Sequence, residues 1–451
     1  MSTRFTMPPV GAASSVVFPT IHRHALGNGM RAWFIPHTGV PAVTISMVMD
    51  GGVAADPPQR PGLVSLVSSL VTEGAGGRDA IAMADAVARI GGHLAVESGA
   101  DVSTVTMTTL AEHFEAGLRL MADVVQRPMF LEPDFQRTRD LRRSRLIQSS
   151  NSPAAIADRA ILGAVFGDHP YGHGAFGTTR SLEAMSVDDL RDHWAHAWGP
   201  ARATLLVSGD VNATRVEAAA EDSFGAWASD ARPPARLLVP EVGAERRILV
   251  VQRPGAPQSE LRVGHHGPPR RTPDYHALLT LNALLGGQFT SRLNRNLRET
   301  RAITYGVRSG FEMRRVGGLF SCDTSVQADA TADAVSEILR ECAAVLEDGQ
   351  IQADELASAK ASLTRGYVRH FETAAHLVRA MATLVTHDLD PDVFDQFVSA
   401  VESLDASDLT RAAQGAIRPD EAAVIVVGDI DRLGPSLQSL GRTVAPIQVE
   451  F

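Results

Sequence analysis

Three serines, Ser65, Ser68 and Ser69, stand at spacing i, i+3 and i+4 in the run Pro61-Gly62-Leu63-Val64-Ser65-Leu66-Val67-Ser68-Ser69-Leu70-Val71-Thr72-Glu73-Gly74. On a helix that spacing puts all three hydroxyls on one face. Leucine and valine cover most of the remaining circumference, so the helix belongs in a core. Small hydroxyls so placed can bond back to carbonyls of the preceding turn, and that accounts for them without any chemistry. A second group is Arg298 and Tyr305, seven positions apart in the stretch from Leu285 to Val307. Residue by residue this stretch is a helix end, a glycine loop at Gly286-Gly287, a second helix exposing Arg298 and Arg301, and a strand opening at Tyr305. The plain reading is a charged turn between core elements. Histidines pair at His193 and His196, at His169 and His173, and at His265-His266. None has a convincing carboxylate partner at ligand spacing, so they read as surface or loop residues rather than metal ligands. Cys322 and Cys342 are the only thiols, too few for a disulfide framework or a four-cysteine zinc site, and read as buried free thiols.

The elements that must position these groups form two similar halves. The first opens with a strand at Val43–Met49, followed by a helix from Pro61 and another from Asp79 that stops at Gly91-Gly92. Strand character returns from Leu94 to Leu110, helix from Ala111 to Gln126 and from Pro133 to Phe166, and strand at Ala203–Val211. The Pro-rich stretch 229–246 reads as a linker. The second half repeats the order: strand Arg247–Gln252, helix Thr272–Leu285, strands Ile303–Met313 and Leu319–Gln327, helix Thr331–Glu347, helices within Ala353–Asp388, and strand Ala423–Ile430. The closing strands end alike, Val-Ser-Gly-Asp-Val and Val-Val-Gly-Asp-Ile, which points to an internal duplication of an α+β unit. The expected fold is α+β: two homologous domains, residues 17–228 and 247–451, each a mainly antiparallel sheet packed with helices.

The chain has 451 residues, long enough for more than one core. Its net charge of −10 opposes nucleic-acid binding, which needs a basic face. No apolar run approaches a membrane span, and Met1 to Pro19 carries no signal-peptide pattern, although numbering from a mature N-terminus would give the same picture. A soluble protein of the cytoplasm or periplasm fits equally.

The Pro61–Gly74 segment resembles the signature helix of the pitrilysin or insulinase family, inverted zinc peptidases that include mitochondrial processing peptidase. That signature is H-x-x-E-H, with both histidines on zinc and the glutamate activating water. The Pro-Gly-Leu entry, the leucine pattern and the Glu-Gly exit match, and the three functional slots fall on Ser65, Ser68 and Ser69. The family's third ligand is a glutamate on a later helix. Registering that helix by Phe135 and Asn151-Ser152-Pro153 puts Arg145 there, to within one residue, with Ser144 the neighbouring option. A cation in a carboxylate's place opposes a divalent metal. His169-Pro170-Tyr171-Gly172 is similar to a loop that the family carries after that helix.

The Leu285–Val307 run is similar to the family's second signature, in which an arginine and a tyrosine seven apart reach the active site from the C-terminal half. The resemblance implies half of a peptidase clamshell: a non-catalytic subunit without zinc that pairs with a homologous zinc-bearing subunit as a heterodimer. Arg298 and Tyr305 would then act in the partner's site, holding the substrate backbone and donating to the tetrahedral oxyanion, while Gly286-Gly287 would help grip peptide substrate. Zinc is expected in the partner and no cofactor in this chain. The competing expectations are a purely structural subunit and a peptide-binding protein of the same fold.

Overall fold

The computed structural model describes residues 11, 15–241 and 246–451. Its backbone is organised around two six-stranded sheets. The first takes β1 (His22–Ala25), β2 (Arg31–Pro36), β3 (Ala42–Asp50), β4 (His93–Ser98), β5 (Val102–Leu110) and β6 (Ala203–Gly209), in the order β1-β2-β6-β3-β5-β4. The second takes β7 (Arg247–Gln252), β8 (Gln258–Gly267), β9 (Thr304–Met313), β10 (Gly318–Gln327), β11 (Ala423–Gly428) and β12 (Thr443–Pro446), in the order β9-β10-β8-β11-β7-β12. Read from opposite edges, the five strands inward of β1 and β12 follow the same order, while the outermost strand differs: β1 comes first in the chain and runs antiparallel to β2, β12 comes last and runs parallel to β7. In both, the early strand lies parallel to the closing strand (β2 with β6, β7 with β11), and antiparallel pairs follow towards the far edge. The duplication read in the sequence is thus present in the topology, as a mixed α+β fold with one sheet in each half.

Between them, residues 227–241 form neither helix nor strand. The halves are nevertheless interleaved. A helix at Pro153–Phe166 packs Ile156, Ala157, Ile161 and Val165 against Ile425, Val427 and Leu319 of the second sheet. In return the helix Ala374–His387 packs Leu377, Val378, Met381 and Leu384 against Ile35, Val48 and Leu206 of the first. The opposite faces bury Val43, Ile45, Met47 and Met49 in one core and Ile248, Val250, Leu261 and Val263 in the other. A strand covered on both faces becomes a continuous apolar run. This is why β3 is buried at every residue from Val43 to Met49 instead of alternating.

Several elements differ from expectation: β1, β2 and β12 lie outside the strands read from the sequence, the region Leu94–Leu110 is the two strands β4 and β5, and two further differences have a clear physical cause. The helical stretch 133–166 is two helices, Glu132–Ser150 and Pro153–Phe166, because Pro153 has no N–H to continue the first and Ser152 caps the second through Ala155 N. Strand β8, central in the second sheet, has no counterpart in the sequence reading. Its buried Arg262, ion-paired to Glu260 and Asp158 at 2.7 Å, and its His265-His266 break the apolar pattern that marks the other central strands. Cys322 in β10 and Cys342 in the following helix are both buried and free. No described helix is long and apolar enough to cross a membrane.

Candidate functional site

The serine-bearing helix runs Leu63–Leu70, with Leu63, Leu66, Val67 and Leu70 in the first core. Its N-cap is Gly62 at φ +94°, where an added Cβ would come within 2.7 Å of the Phe176–Gly177 backbone. Both the conformation and the close approach require glycine. Gly62 has no side chain to cap with, so Asp56 does it from upstream: its carboxylate accepts from Gly62 N at 2.6 Å and Val64 N at 2.7 Å. Burial pushes the Asp56 carboxyl up to about 7, against the pull of those N–H groups and of Arg142.

Arg142 sits opposite. It is 4% exposed on the helix Glu132–Ser150, and its Nη1 donates to Ser65 Oγ at 2.8 Å and Gly62 O at 3.1 Å. Its Nη2 donates to Ser65 O at 2.9 Å and Ser69 Oγ at 3.0 Å. Phe176 lies under the guanidinium, 5.0 Å away. The serines complete the arrangement among themselves and the backbone. Ser65 donates to Ala175 O, Ser69 donates to Ser65 O at 2.9 Å, and Ser68 accepts from Ser98 at 2.7 Å. Burial lowers the Arg142 pKa to about 10, with the Asp56 charge working the other way, so the guanidinium stays charged at neutral pH.

This corrects the sequence assignment of Arg145. Arg145 and Ser144 are both exposed, and the group facing the serines is Arg142. The inward stripe of this helix is Phe135, Arg142 and Leu146. Arg145, adjacent to Leu146, is rotated by about 100° away from it. Three hydroxyls and a guanidinium do not fit a zinc ion, which takes histidine nitrogen, thiolate or carboxylate. Among the described residues no group of three or more His, Cys, Asp or Glu side chains is placed to hold a metal.

The histidine pairs resolve differently. His265 is buried in β8 rather than in a loop or on the surface. Its Nε2 accepts from Arg418 N at 3.0 Å and its Nδ1 faces His266 O at 2.8 Å, a neutral imidazole that burial holds down at about 4. His193 is likewise pushed to about 4 by burial, whereas His196 is exposed and bonds Asp192 O of its own helix at 2.7 Å. His169 faces Leu238 O at 3.0 Å.

The second group is built quite differently. The helix Tyr275–Asn282 runs into a π-helical turn, Ala283–Gly287, and a second π-helical segment, Asn294–Thr300, carries Arg298. Gly286 packs directly on β9, where a Cβ would lie 2.5 Å from Ser309 Oγ, while Gly287 is exposed. Asn294 fastens the second segment to the same strand. Its Nδ2 donates to Val307 O at 2.9 Å and its Oδ1 accepts from Val307 N at 3.0 Å, as a neighbouring strand would. The β9–β10 register slips between Thr304 and Val307, and Tyr305 sits in that bulge. Bulges re-aim side chains, and here Tyr305 is left 93% exposed, with no hydrogen bond among the described residues. Ala302, which leads into the strand, holds φ at +55°, a conformation few side chains adopt.

Arg298 lies partly buried, not on the open surface. Its guanidinium lies 3.8 Å from the ring centre of Phe289, itself 63% exposed, and its Nη1 is buried without an acceptor among the described residues. Gly286 and the segment that carries Arg298 thus both pack on β9, the strand that contains Tyr305. Sequence reasoning missed Asp56, Arg142, Asn294 and Phe289. Only Asp56, a lone acid six residues before a helix-opening glycine, left a signal that capping rules could have used.

Comparison with known proteins matches two models of one family in succession along the chain. Residues 34–179 match the model for insulinase, peptidase family M16, and residues 184–363 match the model for the peptidase M16 inactive domain. An uncharacterized zinc protease of Mycobacterium leprae is 27% identical over 69% of this chain and 70% of its own length. Another from Bacillus subtilis is 23% identical over 75% of this chain and 82% of its own. Among solved structures, a peptidase M16 inactive domain from Pseudomonas fluorescens superposes with a TM-score of 0.85 at 22% identity, covering 91% of this chain and 98% of that one. A protease from Helicobacter pylori gives 0.82 at 18% identity, over 91% and 99%. With two models of this family matched one after the other over residues 34–363, the chain belongs to the insulinase family of peptidases, family M16.

Proposed function

We propose that this chain is a zinc-free, non-catalytic subunit that completes the active site and substrate chamber of a homologous zinc-bearing peptidase subunit, in a heterodimer acting on peptides. The observation that carries the reading is a contrast. The serine slot is closed by its own hydrogen bonds, with Arg142 contacting Ser65, Ser69 and the helix backbone. The Arg298–Tyr305 region holds donors that no described residue uses: a buried Nη1 without an acceptor and an exposed phenol. Buried donors without partners are rare and call for an explanation, and an extended peptide backbone entering from a facing subunit supplies the missing carbonyls. The partner would bring zinc and the water-activating glutamate. Arg298 and Tyr305 would bind the substrate backbone and stabilise developing oxyanion charge, with exposed Gly287 leaving the backbone there open to close approach while Gly286, buried against β9, serves packing.

The test is reconstitution with a homologue bearing an intact H-x-x-E-H motif. Arg298→Ala and Tyr305→Phe should each lower turnover by about 100-fold while the two subunits still co-elute. Unchanged turnover would leave a purely structural subunit of the same fold as the answer.

A further inference from the structure

The second half contains a cavity of about 390 Å³ that the reading above does not use. It lies among the helix Tyr275–Asn282, the turn Tyr367–Phe371, the helix Ala374–His387 and the segment ending at Phe397. Its walls are aromatic. The rings of Tyr367 and Phe397 stack at 4.1 Å with 11° between planes, Phe371 meets Tyr367 edge-on at 5.3 Å, and Phe394 lies 5.3 Å from Phe371. Two of the chain's four tyrosines, Tyr275 and Tyr367, line it.

Aromatic rings alone would be ordinary core. The polar lining is what departs from that. Arg270, Arg379, His370 and His376 all line the cavity and, among the described residues, no carboxylate does, in a chain whose net charge is −10. Neither arginine is in an ion pair with any described residue. The Arg270 guanidinium lies 3.3 Å from the Tyr275 ring centre, and burial pulls its pKa down, the sign of a cation held out of water without a counter-ion. Asp395, whose charge reaches Tyr367, accepts from the backbone N–H of Phe18 at 2.5 Å and is not part of the lining. His376 Nδ1 is buried without a hydrogen-bond partner among the described residues. A desolvated guanidinium without a counter-ion, with exposed Arg379 at the rim, lowers the free energy of an anion that brings its own apolar body, and the volume suits a small molecule.

We propose that this cavity binds a small organic anion bearing an aromatic ring, with the ring against Phe371 and the Tyr367–Phe397 stack and the carboxylate at Arg379, Arg270 and His376. Two sources share that chemistry, a free aromatic acid and the carboxyl-terminal aromatic residue of a peptide.

Isothermal titration of the full chain separates them. The probes are 3-phenylpropionate, a tripeptide ending in phenylalanine with a free carboxylate, and the same tripeptide as its C-terminal amide. The expected result is saturable one-to-one binding of at least one acid, weaker by about tenfold or more for the amide and for the Arg379→Gln variant. Binding of 3-phenylpropionate assigns the free-acid source, and binding of the tripeptide acid alone assigns a peptide terminus. Arg379 is exposed and outside the core, so its variant should fold, which circular dichroism would verify. No saturable binding of either acid, or equal binding by the Arg379→Gln protein, would overturn the proposal. Neither result depends on a partner subunit or on turnover.

Discussion

The Arg142 guanidinium donates to the Ser65 hydroxyl across 2.8 Å and so ties the serine-bearing helix to the helix Glu132–Ser150. The cross-link between these two elements is an organic cation, 4% exposed. Truncating the side chain would leave the Gly62 and Ser65 carbonyls without their guanidinium donor and Asp56 without a compensating charge. Arg142→Ala is therefore expected to destabilise the protein by about 3–5 kcal/mol, measured by urea unfolding. Arg145→Ala, on the exposed face, should change stability by less than about 0.5 kcal/mol.

The same contact governs any attempt to restore the metal site. The triple variant Ser65→His, Ser68→Glu, Ser69→His leaves a charged guanidinium beside the new ligands. It should take up well under one zinc per chain by elemental analysis. Adding Arg142→Ala to the triple variant should raise zinc uptake, because the repelling charge is gone. Full loading of the triple variant alone would mean that Arg142 swings clear.

How much of this was legible beforehand depends on side-chain reach. Leu63, Leu66 and Val67 announce a buried helix, and Ser65, Ser68 and Ser69 fall on one face by spacing alone, as the structure places them. Arg142 was not legible. On a strongly charged helix with arginines at 139, 142, 143 and 145, only packing decides which one turns inward. Strand β8 was hidden for a related reason, since tertiary ion pairs satisfy its buried Arg262. The Arg298–Tyr305 spacing was readable, but the bulge that exposes Tyr305 depends on a two-point contact from Asn294 to Val307 that no local pattern announces.

Asp56 gives a pH signature. Its carboxyl titrates at about 7 when folded against 3.8 ordinarily, so the folded state binds more protons than the unfolded state between those values. Its contribution to stability therefore declines as pH rises through that window. Buried His193, His265 and His387, held near 4, give the opposite slope below their ordinary 6.5, so the informative quantity is a difference. From pH 5 to 8 the wild type should lose melting temperature relative to Asp56→Asn. Parallel curves would contradict the assignment.

Asn294 joins the segment that carries Arg298 to the strand that contains Tyr305. Asn294→Ala removes two hydrogen bonds to Val307 and leaves its buried N–H and C=O unsatisfied, a loss of about 2–3 kcal/mol. Amide exchange in residues 303–308 should speed up more than in the far sheet. Uniform exchange would place the support elsewhere.

Zinc content and peptidase activity of the purified chain, alone and after mixing with a homologue that retains H-x-x-E-H, bear on the whole account at once. The chain alone should carry less than about 0.1 equivalent of zinc and cleave no peptide, and the mixture should exceed the turnover of the homologue by itself. One equivalent of zinc together with cleavage by the isolated chain, abolished by chelator, would contradict it.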